Sequence, residues 1–353
     1  MGQPFLLYAL HSGNLYGTER MALATVAGVA DEFAAELFAP PGNVHAAANQ
    51  LGFPTQVFTS GREFIRKLRP VLAGHRTLAF VATGVVHSLA CIALNVCYRR
   101  RLVHLHVIHG GTDERLSYGR KRLLNHLGVR FVAVSQFVKD RLIAHGVSAN
   151  KISVIENFLP DAYVTATPRR EAFTRPGIRH IVVVSRIDPI KRIDLLLDAL
   201  DRTPALGCLP VRIFGTGWDL ETLRARAAQH NPNVTFVGFE PEVARELAAA
   251  DLLLHLCPEE PFGLAVLEAM AAGIPVLVPD RGGAGALIVD GVSGFHFSAD
   301  NVESLAARLL QLTSLSADGL NRVVAGGFQA LATRFAAPAR LADYRRLLRG
   351  ESL

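Results

Sequence analysis

The chain has 353 residues, of which 50% are hydrophobic and 19% are charged. This length is sufficient for two hydrophobic cores, and this composition excludes an intrinsically disordered protein. The formal net charge is +6, and the basic excess lies in the first half of the chain, without the interleaved aromatic residues of nucleic-acid-binding proteins. We therefore expect a two-domain globular protein that binds no nucleic acid.

In the first half of the chain, short apolar runs alternate with helical segments, which is typical of a parallel sheet wound with helices. The strands predicted there are Phe5–Leu10, Ala35–Ala39, Thr55–Phe58, Leu78–Val81, Leu102–Ile108, Phe131–Val134 and Ile152–Ile155. The first of these runs is too short for a secretory signal and lacks a basic lead, so we expect a cytoplasmic protein.

One apolar stretch in this half, Thr77–Tyr98, has the length of a membrane-spanning helix and contains no Lys, Arg, Asp or Glu. Two polar pairs, Thr83-Gly84 and His87-Ser88, interrupt its middle. They favour a buried strand, a turn and a helix over Val86–Tyr98 rather than a membrane span.

The alternating pattern restarts after a polar stretch with a proline, Thr165–Arg170, which we interpret as a linker. The strands predicted beyond it are Ile181–Val184, Val211–Phe214, Val234–Val237, Leu252–Leu256 and Pro275–Val278. We therefore predict two Rossmann-like domains, 1–165 and 166–337, with a cleft between them. Because ligands of open α/β sheets bind at the carboxyl ends of strands, functional residues are expected in the loops that follow strands.

Potential metal ligands show no spacing that is typical of a metal site. The 4 cysteines contain no CxxC pair, and we expect buried free thiols in a reducing compartment at Cys91, Cys97, Cys208 and Cys257. No Asp-x-Asp element or cluster of histidine and carboxylate suits a divalent ion. We therefore expect no metal site.

Two glutamates flank a predicted helix start after the strand Leu252–Leu256. The helix is predicted to begin at Gly263 and to end before Gly273, so that Glu260 precedes it and Glu268 lies within it. Eight positions advance a helix by about two turns, which allows both carboxylates to face one ligand.

Backbone amides near this helix start, at Phe262, Gly263 and Leu264, favour the binding of a diphosphate. A carboxylate inside the helix, here Glu268, can accept hydrogen bonds from a ribose diol. An ordinary amphipathic helix preceded by a proline would have the same spacing, so both interpretations stay open on spacing alone.

Three other loops carry candidate residues. Arg186 and Lys191 follow the first strand of the second half, where two cations can neutralise a diphosphate leaving group, although a surface pair is the alternative. Gly17 lies in the loop after the first strand, which is otherwise a common glycine turn. His109 follows the strand Leu102–Ile108, and the glycines after it permit close approach of a ligand, although a structural histidine would have the same pattern.

The run Glu260–Val276 resembles the E-x7-E motif of the retaining GT-B glycosyltransferases of family four, the glycosyl transferases group 1. The resemblance extends over nearly the whole chain and implies an α/β, GT-B fold of two Rossmann-like domains that face a central cleft. It implies that Glu260 contacts the donor sugar and that Glu268 holds the ribose. The first domain would bind the acceptor, the second would bind the nucleotide sugar, and a terminal helix, 338–353, would pack back on the first domain.

Two elements of the second half resemble this family with one departure each. Arg186 and Lys191 are similar to its R-x4-K element, but Arg192 replaces the usual glycine after the lysine. The loop 280–288 is similar to its G-G-x-x-E, but Ala286 replaces the glutamate.

In the first half, Gly17-Thr-Glu-Arg20 is similar to the family's G-G-x-E-R, whose backbone amides approach the phosphates, with Tyr16 in place of the first glycine. His109 matches the active-site histidine that the family places after this strand. His104 and His106 are then expected to be buried strand residues.

The resemblance implies that the chain retains anomeric configuration while it moves a sugar from a UDP- or GDP-sugar to a glycan or lipid-linked acceptor. Such a reaction belongs to cell-surface polysaccharide or glycolipid biosynthesis and needs no metal or other cofactor. Basic residues such as Arg99–Arg101 and Arg120–Arg122 indicate a solvated face, a phosphate-bearing acceptor or peripheral contact with the anionic inner membrane face.

Other functions compete with this one. A nucleotide-sugar epimerase has the same fold, and a non-catalytic protein could bind nucleotide sugar without turnover. A Rossmann dehydrogenase is disfavoured because no G-x-G-x-x-G run follows a predicted strand.

Overall fold

The computed structural model describes residues 3–111 and 113–353 and divides the chain into two compact units. The first unit comprises the residues up to Phe158 together with Ala337–Leu353, and the second comprises Leu159–Ala336. The stretch interpreted as a linker, Thr165–Arg170, lies inside the second unit. Its last residue, Arg170, donates a hydrogen bond to Asp251 at 2.6 Å, which attaches the stretch to the second core.

The first unit is built on a parallel sheet. Its strands are Phe5–Ala9 (β1), Ala34–Ala39 (β2), Thr55–Val57 (β3), Thr77–Ala82 (β4), Arg101–Ile108 (β5), Arg130–Ala133 (β6) and Ile152–Val154 (β7). The strand order is β3-β2-β1-β4-β5-β6-β7, so the order reverses between β1 and β4. The central strands are buried apolar runs, as expected for a parallel sheet covered by helices on both faces.

Helices connect these strands. They are Gly17–Gly28 (α1), Val44–Gln50 (α2), Gly61–Gly74 (α3), Val85–Tyr98 (α4), Glu114–Ser117 (α5) and Gln136–Ala144 (α6), with short 3₁₀ helices at Gly119–Leu124 and Ala149–Lys151. The apolar stretch Thr77–Tyr98 forms β4 and α4, with a turn at Thr83-Gly84, as the sequence predicts. Of the helices in the described ranges, none has the length and apolar character required to cross a bilayer.

The second unit contains another parallel sheet, with strands Ile181–Val184 (β8), Val211–Phe214 (β9), Val234–Gly238 (β10), Leu252–Leu254 (β11), Val276–Pro279 (β12) and Phe295–Phe297 (β13). The order is β10-β9-β8-β11-β12-β13, with the reversal between β8 and β11. Its helices are Asp161–Ala166 (α7), Ile193–Arg202 (α8), Leu220–His230 (α9), Val243–Ala248 (α10), Leu264–Ala272 (α11), Gly282–Gly285 (α12), Val302–Ser314 (α13) and Ala317–Ala332 (α14), with 3₁₀ turns at Pro189–Lys191 and Pro204–Leu206.

The last helix, Ala337–Leu348 (α15), belongs to the first unit. Arg345 donates hydrogen bonds to the carbonyl of Gly28 at 2.6 Å and to the Asp31 carboxylate at 2.8 Å. Tyr344 and Leu347 are buried at 4% and 1% exposure. Ion pairs at the rim and apolar burial therefore hold the helix in the first unit.

The expectation of four buried thiols is wrong for two of them. All four cysteines are free, but only Cys91 and Cys257 are buried, whereas Cys97 and Cys208 are exposed. Cys97 lies in the last turn of α4 beside the solvent-exposed Val96, and Cys208 lies in the turn before β9. An apolar run alone therefore did not distinguish the two faces of the helix.

Candidate functional site

Lys191 and Glu260 come together at the point where the second sheet reverses its strand order. Lys191 follows β8, Glu260 follows β11, and these strands are neighbours. The Lys191 Nζ atom donates a hydrogen bond to Glu260 Oε2 at 2.6 Å, and the side chains are only 13% and 17% exposed. Ligands of open α/β sheets bind at this kind of reversal, outside the carboxyl ends of the strands.

Both members of this pair are charged at neutral pH. Burial raises the pKa of Glu260, but the Lys191 ammonium and His255 outweigh burial and hold that pKa below its ordinary value. Burial lowers the pKa of Lys191, but the Glu260 carboxylate outweighs it and holds that pKa above its ordinary value. The pair therefore presents an ionised carboxylate, which can accept hydrogen bonds, beside a cation that can donate them.

His255 is a member of this cluster that the sequence analysis missed. Its Nε2 atom lies 3.5 Å from Glu260 Oε2, and the side chain is buried. Burial lowers the pKa of His255 to about 4, so the ring is neutral at neutral pH. A polar residue between the apolar Leu254 and Leu256 at the end of a buried strand was the signal in the sequence.

The helix after Glu260 has nearly the predicted start. Helix α11 begins at Leu264, and Gly263 caps it with a left-handed φ of 101°. Glu268 lies in the second turn at 4% exposure, and Phe262 is buried at 3% exposure. Leu264 is half-buried at the amide end of the helix, where a diphosphate would be favoured.

The glycines after β12 allow their loop to contact the backbone of the Glu260 segment. The Gly283 amide donates a hydrogen bond to the carbonyl of Glu260 at 2.6 Å. A Cβ atom at Gly283 would lie 2.1 Å from the carbonyl oxygen of Pro261, so no larger residue fits. Ala286 is exposed immediately after α12, at the position where the family has an acid.

Arg186 lies in the same loop as Lys191 but in a more open environment. Its guanidinium is 2.9 Å from the carboxylate of Asp188, and the two side chains are 54% and 8% exposed. The exposed end of Arg186 is therefore accessible to a ligand.

Arg192 shows why the family has a glycine at this position. Its φ of 55° lies in the left-handed region that glycine adopts readily. The Arg192 guanidinium is paired with Asp300, so its charge is directed to the neighbouring loop.

In the first unit, His109 directly follows β5 and is half-buried. Burial and, to a smaller extent, the nearby His11 lower the pKa of His109 to about 3. Within the described residues, the Nε2 atom of His109 has no hydrogen-bond partner. The ring is therefore neutral and retains hydrogen-bonding capacity at neutral pH.

Gly17 is the first residue of α1, and the substitution of Tyr16 for the family's glycine is accommodated without strain. Tyr16 has a φ of −95° and is 57% exposed, so that neither its backbone nor its side chain requires a glycine. The Glu19 carboxylate accepts a hydrogen bond from the Tyr16 amide at 3.1 Å.

The strand histidines are buried, as the sequence predicts. His104 and His106 are 4% and 0% exposed, and both contact the hydroxyl of Ser88, at 3.0 Å and 2.9 Å. Lys121, from the basic stretch Arg120–Arg122, is also buried, at 8% exposure. Its ammonium donates a hydrogen bond to the carbonyl of Leu116 at 2.7 Å, and burial lowers its pKa to about 8.

The sequence predicts no metal site, and the side chains that could coordinate an ion are His, Cys, Asp and Glu. In the described part of the chain, no group of three or more His, Cys, Asp or Glu side chains is arranged to hold a metal ion.

Comparisons with known sequences identify two family matches and several relatives. Residues 168–324 match the family described as glycosyl transferases group 1, and residues 16–162 match glycosyltransferase family 4. The D-inositol 3-phosphate glycosyltransferase of Mycobacterium marinum is 28% identical over 257 residues, which are 65% of this chain and 52% of the relative. The GDP-mannose-dependent alpha-mannosyltransferase of Mycobacterium tuberculosis is 31% identical over 176 residues, which are 48% and 44%. The chain thus aligns with about half the length of these curated relatives.

Solved structures show the same fold. HepE of Anabaena in complex with UDP and glucose has a TM-score of 0.81 and 20% identity, over 99% of this chain and 100% of that one. The lipopolysaccharide outer core galactosyltransferase WaaB has a TM-score of 0.71 and 16% identity, over 98% and 99%. Since the two family matches extend over most of the sequence, the chain belongs to the group 1 glycosyltransferases and has the GT-B fold.

Proposed function

We propose that the protein is a retaining glycosyltransferase that moves a sugar from a UDP- or GDP-sugar to a glycan or lipid-linked acceptor. The buried Lys191–Glu260 pair, at the reversal of the second sheet and beside Arg186, carries this proposal. One carboxylate and two cations at this point match a donor that presents sugar hydroxyls at one end and a diphosphate next to them.

Each of these residues has an assigned role. Arg186, Lys191 and the amides at the start of α11 neutralise the diphosphate, while Glu260 accepts hydrogen bonds from the donor sugar and Glu268 from the ribose. As the bond from the anomeric carbon to the diphosphate oxygen breaks, the acceptor oxygen bonds to that carbon on the same face. The acceptor proton passes to the departing diphosphate. The protein's contribution is positioning and electrostatic stabilisation, without a metal or a covalent intermediate.

The choice of donor is supported by the relatives. HepE was solved with UDP and with UDP-glucose, and one curated relative is named as GDP-mannose-dependent. The role in polysaccharide or glycolipid biosynthesis is supported by similarity to an amylovoran biosynthesis glycosyltransferase of Erwinia amylovora, 30% identical over 228 residues. We therefore place this chain among enzymes that build cell-surface glycans.

We assign the acceptor to the first unit and infer that it carries phosphate. Lys121 is a buried cation that donates a hydrogen bond to a backbone carbonyl, and burial keeps the nearby His11 and His106 neutral. A buried ammonium is stabilised most by an anion, which a phosphate group would supply. Several relatives are named for an acceptor of this class, D-inositol 3-phosphate.

The experiment that tests the function is a thermal-shift screen of nucleotide diphosphate sugars, followed by mass spectrometry of products. We expect one nucleotide class to raise the melting temperature and a glycoside to form only when an acceptor is present. Conversion of the donor without any acceptor would instead identify an epimerase. Donor binding without conversion, across acceptors with and without phosphate, would identify a binding protein.

A His109→Ala variant tests the role of the first unit. Because His109 can hydrogen-bond reacting groups but lies outside the second unit, we expect unchanged stabilisation by the nucleotide and transfer slowed by about 10²- to 10⁴-fold. His126→Ala, which changes an exposed histidine in the same unit, serves as the control. Unchanged turnover in His109→Ala would remove this residue from the mechanism.

Peripheral membrane contact is assigned to the surface formed by α5 and the 3₁₀ helix after it. Leu116, Leu123 and, in the turn after the 3₁₀ helix, Leu127 are 46%, 56% and 41% exposed. Three exposed arginines lie close to them in sequence, Arg115, Arg120 and Arg122. A surface that exposes both apolar and basic side chains is typical of proteins that bind anionic lipid surfaces. Arg100, in the other basic stretch, bonds instead to the carbonyl of Leu72 at 2.7 Å.

The double variant Leu116→Ser/Leu123→Ser tests this surface. We expect it to sediment less with vesicles that contain anionic lipid, and we expect salt to weaken the wild-type interaction because it screens the arginines. Leu310→Ser, which changes a leucine that is 38% exposed in the second unit, is the control. Equal sedimentation of wild type with neutral and anionic vesicles would contradict membrane contact through this surface.

A further inference from the structure

Trp218 is the one tryptophan of the sequence, and its side chain is 87% exposed. It lies in the loop between β9 and α9, at the carboxyl end of the second sheet. Stacking on a ligand is the main interaction that a large, exposed aromatic face at a binding edge can offer.

The backbone around Trp218 is fixed against the loop that carries Arg186. The Ile187 amide donates a hydrogen bond to the Thr216 carbonyl at 2.9 Å, and the Asp219 amide donates one to the Ile187 carbonyl at 3.0 Å. A Cβ atom at Gly217 would lie 2.2 Å from the Ile187 carbonyl oxygen, so this close approach requires glycine. Trp218 therefore lies between Gly217 and Asp219, which both contact the backbone of Ile187, the residue that follows Arg186.

A second exposed aromatic residue follows the next strand. Phe239 is 69% exposed after β10, and the Gly215 amide donates a hydrogen bond to the Gly238 carbonyl at 2.7 Å, which ties the two loops together. Both aromatic residues thus lie on the β9–β10 side of β8. Glu260 lies on the opposite side of β8, after β11.

We propose that Trp218 is the stacking platform for the nucleobase of the donor, an inference that rests on the proposed function. In a nucleotide sugar the diphosphate separates the sugar from the nucleoside. With the sugar assigned to Glu260, the diphosphate to Arg186 and Lys191 and the ribose to Glu268, the base is the part of the donor that has no assigned contact. The loops after β9 and β10 carry exposed aromatic faces that can stack on it. Every base has an aromatic face, so this platform accepts uracil and guanine alike.

The test uses the intrinsic fluorescence of the protein, because all tryptophan emission comes from this position. The probes are UDP, GDP and inorganic diphosphate, with binding measured in parallel by calorimetry. We expect the nucleotide that binds to quench the emission, whereas bound diphosphate leaves it nearly unchanged.

Substitutions give an independent measure. We expect Trp218→Ala to weaken nucleotide binding by about 5- to 150-fold without a change in the affinity for diphosphate, and Trp218→Phe to retain most of the affinity. Val289→Ala, which changes an exposed apolar residue of the same unit, is the control.

Three outcomes would overturn the inference while the proposed function stands. They are nucleotide binding without quenching, equal quenching by diphosphate, and nucleotide binding by Trp218→Ala as tight as that of wild type. Failure of both nucleotides and of all nucleotide sugars to bind would overturn the proposed function, and this inference with it.

Discussion

Replacement of Arg186 by alanine is expected to lower turnover by about 10²- to 10³-fold and to lower the melting temperature only slightly. The physical reason is that negative charge develops on the departing diphosphate, and the exposed end of Arg186 is available to stabilise it. The folded state loses little, because the Arg186 side chain is 54% exposed. Its partner Asp188 is only 8% exposed, so we expect a small loss of stability, about 1 kcal/mol, rather than none.

Steady-state kinetics and thermal unfolding of the same preparations provide the measurement. The control is Arg202→Ala, which removes an arginine of similar exposure in the second unit from its pair with Glu303, at 61% and 74% exposure. We expect the control to keep both activity and stability. Wild-type turnover in Arg186→Ala would refute the assignment of this residue to the leaving group.

Replacement of Lys191 by methionine is expected to reduce both activity and stability, unlike replacement of Arg186. The Glu260 carboxylate would remain nearly buried without its cation, and removal of one partner of a buried pair costs about 3–5 kcal/mol. In the double variant Lys191→Met/Glu260→Gln, most of this loss should be recovered, because no buried charge remains. Activity should fall by at least about 10²-fold in all variants of the pair.

Unfolding in urea, followed by circular dichroism, measures these free energies. A matched control is Arg170→Met, which breaks a similar pair with Asp251 that is 2.6 Å long and 20% and 13% exposed. We expect that control to lose stability but to retain turnover per folded molecule. If the double variant were no more stable than Lys191→Met, the pair would not be the source of the destabilisation.

The pH dependence of this comparison has a defined sign. In wild type, Glu260 has a pKa below its ordinary 4.5, so its contribution to stability is present above that value and is lost as the pH falls through the lower, folded-state pKa. In Lys191→Met, the largest charge that opposes burial is removed, so we expect the pKa of Glu260 to rise. Glu260 then takes up a proton on acidification and the destabilisation is relieved. The difference in stability between the two proteins should therefore shrink as the pH falls from 7 towards 4.

The fold was predictable because parallel strands are continuous apolar runs separated by helices. Strand β13 was missed, since Phe295-His-Phe297 is a run of only three residues that becomes a strand by pairing with β12. The apparent membrane span was resolved correctly, because the turn at Thr83-Gly84 is visible in the sequence. Local pattern was thus sufficient where an element carries its own boundaries.

The candidate site was predictable in its members but not in its pairings. Glu260 and Lys191 were identified separately, but the hydrogen bond that joins them connects residues 69 positions apart and depends on the strand order. His255, Lys121 and Trp218 were not identified as candidates because burial or exposure, rather than residue type, distinguishes them. Tertiary contacts decide such properties, and spacing along the chain does not encode them.

The left-handed residue Arg192 has a further consequence for the behaviour of the second unit. Its partner Asp300 also has a left-handed φ, of 59°, and each such non-glycine conformation costs roughly 1–2 kcal/mol. Asp300 also bonds to Arg281 at 2.8 Å, and Arg281 lies 3.5 Å from Glu259, next to Glu260. A chain of ion pairs thus joins the loops after β8, β11, β12 and β13. Dissolved salt screens such charges, so we expect added salt to increase the mobility of these loops at the carboxyl end of the second sheet.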